Sequence, residues 1–273
     1  VSNDTLGNGI ELSRTFDARS LETSRTYTDS ASTTVLDITS PAYDEGGNLE
    51  AETVAGTIAA GAQSDRDFTY DERSRLTEQD DDGDQLADAT WTLDKLGNWT
   101  ATDQNGAAET RTVTADNEYA SIDTAVPVYD ANGNLTEYDG LTYIYDWANR
   151  LVEVHNTSDS STVAEYTYDA VGRRVTRHVA ATATTTRYVY SGSQVIEEYE
   201  NTGSGYAIAR RFVPGPGLDQ PILMDKLAGS GTGLHYYLRN RQGSIIALTD
   251  SGGTVVESYV YSAYGTPTLF DST

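Results

Sequence analysis

One short phrase recurs in this chain and limits its fold more than any other feature. It appears as Tyr129-Asp130-Ala131-Asn132-Gly133-Asn134-Leu135-Thr136, as Tyr145-Asp146-Trp147-Ala148-Asn149-Arg150-Leu151-Val152 and as Tyr168-Asp169-Ala170-Val171-Gly172-Arg173-Arg174-Val175. Each copy follows a run in which every second side chain is large, such as Leu141-Thr142-Tyr143-Ile144-Tyr145. That alternation is the period of a β-strand.

Within the phrase, aromatic and β-branched residues flank a polar step. Asp can cap the step with its carboxylate, and Gly or Asn can take the positive φ of a tight reversal. The phrase therefore predicts a hairpin, with the Tyr ending one strand and the Leu or Val after the step starting the next. Weaker copies begin at Phe16-Asp17, Tyr43-Asp44, Tyr70-Asp71, Leu93-Asp94 and Tyr261-Ser262. The expected turn residues are thus Asp17, Asp44, Asp71, Asp94, Asp130, Gly133, Asp146, Asp169 and Gly172. Repeats of one or two hairpin arms stack on one another.

A run of such phrases in register resembles the YD-repeat, or Rhs-repeat, family, from roughly Phe16 to the C-terminus. The segment Val255-Val256-Glu257-Ser258-Tyr259-Val260-Tyr261-Ser262-Ala263-Tyr264-Gly265 resembles the opening of the Rhs repeat-associated core. The resemblance implies an all-β fold, a continuous spiral sheet of stacked β-hairpins that closes into a hollow shell. It also implies a shell carried on a larger secreted or surface protein, extracellular or at the cell surface, that scaffolds or encloses a C-terminal toxin or effector. No Asp-Pro pair occurs in the sequence, so the self-cleavage associated with the family is not expected of this stretch.

Composition agrees with strands and excludes several partners. Tyr (19) far outnumbers Phe (4) and Trp (3), which favours strands and turns over helices. The formal charge is −24, from 42 acidic and 18 basic residues. Such a surface repels nucleic acid and anionic lipid. No apolar run is long enough to span a membrane as a helix. Cysteine is absent, so neither disulfides nor thiolate chemistry can occur. The beginning at Val1-Ser2-Asn3-Asp4 falls in mid-pattern, which is the expectation for a piece of a longer protein.

Three constellations could carry chemistry. Asp80, Asp82, Asp84 and Asp88 place oxygen ligands in a rhythm resembling calcium loops, and Ca2+ is the one cofactor the sequence suggests; the plainer alternative is a solvated acidic turn. His155, His178 and His235 show no metal-pair spacing and read as structural or surface residues. Glu197, Glu198 and Glu200 could meet across a sheet as a hydrolytic pair, but with so many carboxylates the pairing is uninformative. The chain is therefore expected not to be an enzyme. Tyr236-Tyr237 and Trp147 could stack on sugar rings, although strand spacing favours core or ladder positions. An adhesive glycan-binding module and a subunit of an extracellular fibre are the alternative functions. The Asn-x-Ser/Thr triplets at Asn98, Asn134 and Asn156 follow from the repeat phrase or adjoin it and carry no weight as glycosylation sites.

Along the chain the expected divisions are residues 1–60, loosely patterned repeats with loops such as 28–34; 61–179, the repeat array; and 180–273, C-terminal hairpins leading toward the core-like segment. A stack of hairpins leaves open ladders at its ends. Val255 to Tyr261 is expected to be such an edge, because Thr266-Pro267-Thr268 is too short to cover it. The expected partners are accordingly the remainder of a parent chain or identical copies joined edge to edge, with a toxin cargo or a glycan as further candidates.

Overall fold

The alternating runs form strands, and the phrase between them forms a turn of one repeated design. The structure, a computed structural model, describes residues 2–81, 89–104, 106–217 and 220–271. Counting Asp as the first residue of the turn, the fourth peptide N–H returns to the Asp carbonyl, and the Asp N–H donates to the carbonyl of the fifth. In one copy these bonds are Gly133 to Asp130 (3.0 Å) and Asp130 to Asn134 (2.9 Å). The fourth residue has positive φ: 81° at Gly133, 58° at Asn149, 87° at Gly172 and 57° at Ser74. This is a type I turn followed by a left-handed residue, which adds one residue and bulges the ladder. Pairing shifts by one residue between Ile144 and Tyr145, and again between Thr167 and Tyr168.

Among the described residues the strands fall in two antiparallel sheets, in each of which strand order follows chain order. The first has eleven strands, from Ser2–Thr5 to Tyr119–Ile122, and the second fourteen, from Val128–Tyr129 to Pro267–Asp271. Ala60–Ala62 and Ala180–Thr182 are single 3-10 turns. Stacked hairpins are thus the architecture, but the ladder breaks between Ile122 and Val128 where one continuous sheet was expected. There Ile122 bridges back to Ala125 and Asp123 takes φ 49°, so the chain doubles on itself instead of extending.

Two compact units are present, one of residues 1–108 with 233–273, the other of 109–232. In the first, apolar residues of the opening strands pack against those of the last hairpins. Ile10, Tyr27, Leu36, Ile38 and Val54 share one core with Leu238, Ile246, Ala247 and Val260, and Leu36 and Leu238 are both 0% exposed. Polar ties accompany the packing. The Asn8 amide donates to Thr249 Oγ1 (3.0 Å) and to the Asp250 carbonyl (2.9 Å), and the Tyr27 hydroxyl donates to the Arg239 carbonyl (3.1 Å). In the second unit Val154, Ala164, Ala209 and Met224 are buried, while most other strand positions are half-covered.

One expectation is sharpened and one corrected here. The stretch 28–34 joins two strands as expected, but it is not a loose loop. Asp29 builds the same turn as the repeat phrase, with Asp29 Oδ1 accepting from Ala31 and Thr33 and with Ser32 at φ 63°. Nor is Val255–Tyr261 an open edge. Ser262 to Thr266 make another such turn, with Gly265 at φ 94°, and throw the chain back as the strand Pro267–Asp271. That strand pairs from Glu257↔Asp271 to Tyr261↔Pro267, and Phe270 packs on the core. Five residues suffice because the turn begins immediately after Tyr261, and Pro267 occupies the strand's first position, where its missing N–H does least harm.

Candidate functional site

The repeated turns form the most regular constellation in the molecule, and each residue of the phrase has a separate task. The Asp caps its own turn. Asp130 Oδ1 accepts from the N–H groups of Asn132 and Asn134 (2.8 and 2.9 Å), Asp146 Oδ1 from Ala148 and Arg150 (2.9 and 3.0 Å), and Asp169 Oδ1 from Val171 and Arg173 (3.0 and 2.9 Å). Asp17, Asp71 and Asp94 stand in the same relation to their turns, and Asp44 Oδ1 accepts from Asn48. The second carboxylate oxygen takes the side chain of the fifth residue: Asn134 Nδ2 at 2.8 Å in one turn, Arg150 Nε at 2.8 Å in the next.

The fifth residue, where it is Arg, also reaches the following turn. Arg75 donates to the Asp94 carbonyl (2.6 Å), Arg150 to that of Asp169 (3.2 Å), and Arg173 to that of Gly192. Arg150 and Arg173 lie over the rings of Tyr168 and Tyr190, each 4.9 Å from the ring centre. The Tyr ties its turn to the preceding one. Tyr145 donates to the Leu135 carbonyl (3.0 Å), Tyr168 to Leu151 (2.8 Å), Tyr190 to Arg174 (2.7 Å) and Tyr43 to Glu22 (2.7 Å). In every case the acceptor is the first residue of the return strand after the previous turn. At these four positions a phenylalanine ring would fill the same space, but only the hydroxyl reaches the neighbour. Sequence reasoning placed the Tyr at a strand end and missed the bond, because the separation from hydroxyl to acceptor runs from 10 to 21 residues and offers no fixed spacing to read.

Two expected outcomes follow. Tyr168→Phe keeps the ring and removes one link between turns, lowering stability by about 1 kcal/mol in denaturant titration. Asp146→Ala removes the cap and the Arg150 contact together and lowers the thermal midpoint by about 2 to 4 °C; an unmoved midpoint would show that the cap contributes nothing.

These bonds hold the carboxylates in their charged form. The Arg75 side chain, with backbone N–H groups behind it, holds the Asp71 carboxyl down to about 2, and the Asn134 and Arg150 side chains lower Asp130 and Asp146. A folded-state value below the unfolded one adds stability above about pH 4 and loses it as pH falls toward the folded value. The caps should therefore be indifferent to pH between about 5 and 7, and the midpoint should fall steadily from about pH 4 to pH 2. Calorimetry across that range checks it, and a flat response below pH 4 would count against the caps.

Among the described residues, the remaining sequence candidates do not come together in one site. Asp82, Asp84 and Asp88 lie outside the described residues. Asp80 ends the strand Leu76–Asp80. No group of three or more metal-ligating side chains converges among the described residues. His155 meets Glu153 (2.9 Å), His178 meets Thr185 (3.1 Å) and His235 meets the Gly233 carbonyl (2.9 Å), so the three have different partners. Arg210 takes Glu198 and Glu200 (2.7 and 2.8 Å), and Arg211 faces Glu197 at 3.4 Å. Those carboxylates are matched by arginines on the adjoining strand. Tyr236 is buried, Trp147 is 92% exposed, and Trp91, Trp99 and Tyr264 pack together with Trp91 buried.

Hairpins in sequence order, capped by aspartates and stapled turn to turn by tyrosine hydroxyls, define a repeat-built β-scaffold of the YD type. Comparison with known families agrees along nearly the whole length. The chain belongs to the Teneurin YD-shell family, whose model matches residues 3–273. Among curated relatives it is 28% identical to the tRNA nuclease WapA of Bacillus subtilis (strain 168), over 65% of this chain and 8% of the relative. It is equally similar to the tRNA3(Ser)-specific nuclease WapA of Bacillus spizizenii, again over 65% of this chain and 8% of that protein. Among solved structures it resembles TcdB2-TccC3-TEV, with TM-score 0.78, 16% identity and coverage of 99% of this chain and 15% of the other. A structure of the Photorhabdus luminescens Tc holotoxin pore gives TM-score 0.75 at 16% identity, with the same coverage. The chain thus spans less than a tenth of the length of those curated relatives.

Proposed function

We propose that this chain is a non-catalytic shell segment of a larger secreted or surface-displayed protein, and that the shell scaffolds or encloses an effector polypeptide carried by the same protein. The observation that supports it most is the use of the repeated chemistry of the phrase: the turn carboxylates accept from their own turns and tyrosine hydroxyls bond to neighbouring turns, so these polar groups are committed to building a wall. The relatives named as nucleases are many times longer than the stretch they share with this chain. Catalysis is then a property of other parts of such proteins.

Limited proteolysis of the polypeptide that carries this chain tests the reading. Cleavage sites in the effector should resist protease while the turns are intact and become cleavable when acid or denaturant unfolds them. Equal cleavage in both conditions overturns enclosure. Separately, the 273-residue chain should leave tRNA intact, and cleavage by the purified chain would overturn its non-catalytic role.

A further inference from the structure

The first unit contains a polar cavity of about 200 Å3 that the turn array does not account for. Its floor is set by strand register: Glu52 of Leu49–Gly56 stands opposite Arg66 of Ser64–Tyr70, and Phe68 of the latter stands opposite Gln79 of Leu76–Asp80. Tyr261 and the turn at Asn240 complete the lining from the C-terminal hairpins. Glu52 shares its strand face with the core residue Val54, so a carboxylate occupies a position that alternation assigns to an apolar side chain.

Glu52 is 4% exposed and Gln79 3% exposed. Glu52 Oε2 and Gln79 Oε1 have no hydrogen-bond partner among the described residues. The nearest cation to Glu52 is the Arg241 guanidinium at 3.7 Å, beyond hydrogen-bond length and engaged with the Tyr43 hydroxyl at 2.6 Å. Gln79 Nε2 donates to Asp81 Oδ2 at 2.7 Å, which fixes the amide and leaves its oxygen as the acceptor. Arg66 Nε lies 3.3 Å from Asp81 Oδ1. Burial pushes the Glu52 carboxyl up, against the pull of Arg241 and Arg66. Buried acceptors without donors are expensive, and a site that keeps two of them beside a guanidinium is suited to a guest that supplies two donors and one acceptor.

We propose that this cavity binds a neutral carboxamide, its N–H groups donating to Glu52 and Gln79, its carbonyl accepting from Arg66, and its plane lying against Phe68 and Tyr261. Charge excludes the nearest alternatives. An ammonium would face the Arg66 guanidinium and a carboxylate would face the Glu52 acceptor, both of which line the cavity, whereas a neutral amide meets both. Cavities of about 150 Å3 hold benzene, so the volume suits a guest of roughly six to eight non-hydrogen atoms. Either a small free amide or a glutamine or asparagine side chain of a polypeptide meets the description. The inference does not depend on the enclosing role proposed above.

Proton–nitrogen correlation spectra of the 273-residue chain, titrated with propionamide, propionate and propylammonium, test it. Propionamide alone should give saturable shifts, confined to Glu52, Gln79 and the Asn240 turn. Propionate and propylammonium should not. A capped Ala-Gln-Ala peptide that shifts the same signals, with Ala-Glu-Ala silent, assigns the guest to a polypeptide side chain; propionamide binding without the peptide assigns it to a free amide. Gln79→Met removes one acceptor at similar volume and should weaken propionamide about tenfold. Saturation by none of the three compounds, equal response to all three, or unchanged affinity in the variant overturns the proposal, and the three-compound comparison stands on the parent chain even where the variant does not fold.

Discussion

Leu238→Ala is expected to lower the stability of the first unit by about 3 to 5 kcal/mol, the range for a fully enclosed leucine whose neighbours cannot collapse into the space. Leu238 has no exposed surface and joins a core that also includes residues from strands at the opposite end of the sequence, Leu36 and Ile38 among them. Those strands are held by their own ladders and cannot move in to fill the void. Denaturant titration followed by tryptophan fluorescence reads this unit, since Trp91 is buried within it while Trp147, in the other unit, is 92% exposed. A loss below about 1 kcal/mol would mean that the hairpins carrying Leu238 add little to the core.

Gly56→Ala should be comparably damaging for a different reason. Gly56 closes the strand Leu49–Gly56 at φ 138°, a conformation that L side chains rarely adopt, and an added Cβ would lie 2.4 Å from the Val35 carbonyl oxygen and 2.9 Å from Leu36 Cα. Both are backbone atoms of the paired strand, so no rotamer change relieves the contact. Backbone strain of this kind costs about 1 to 3 kcal/mol before the collision is counted. A loss of at least about 3 kcal/mol, or failure to fold, is the expected outcome. A variant as stable as the parent chain would show that the two strands separate easily at this point.

The fold was legible in the sequence where its causes are local. Asp146 and Arg150 sit four residues apart and bond within one turn, so the phrase around them announces the hairpin without knowledge of the rest of the chain. Probing with Tyr-Asp passed over Asp29 and Asn240, which build the same turn behind a threonine and an arginine; the informative pair was the capping side chain with a small or left-handed residue three places later. Nothing near Leu36 indicates that Leu238 covers it, because that contact depends on how many hairpins intervene. Glu52 was unreadable for a related reason. On a strand, a carboxylate is ordinarily assigned to the solvent face, and only the arrival of Arg241 and Tyr261 from the far end of the chain encloses it.

The Tyr27 hydroxyl and the Arg239 carbonyl are separated by 212 positions in sequence. A ribosome therefore releases the first strands long before their covering exists, and every hairpin of the second unit emerges in between. Those intermediate hairpins can form as they appear, since each bonds to its predecessor. The opening strands, by contrast, must keep Ile10, Leu36 and Val54 out of aggregates until residues 233–261 have been made. Contacts so distant also form slowly. Vectorial synthesis thus imposes an order of assembly in which the core of the first unit closes only once residues 233–261 have been made, and a chain halted before residue 233 leaves Ile10, Leu36 and Val54 without that covering.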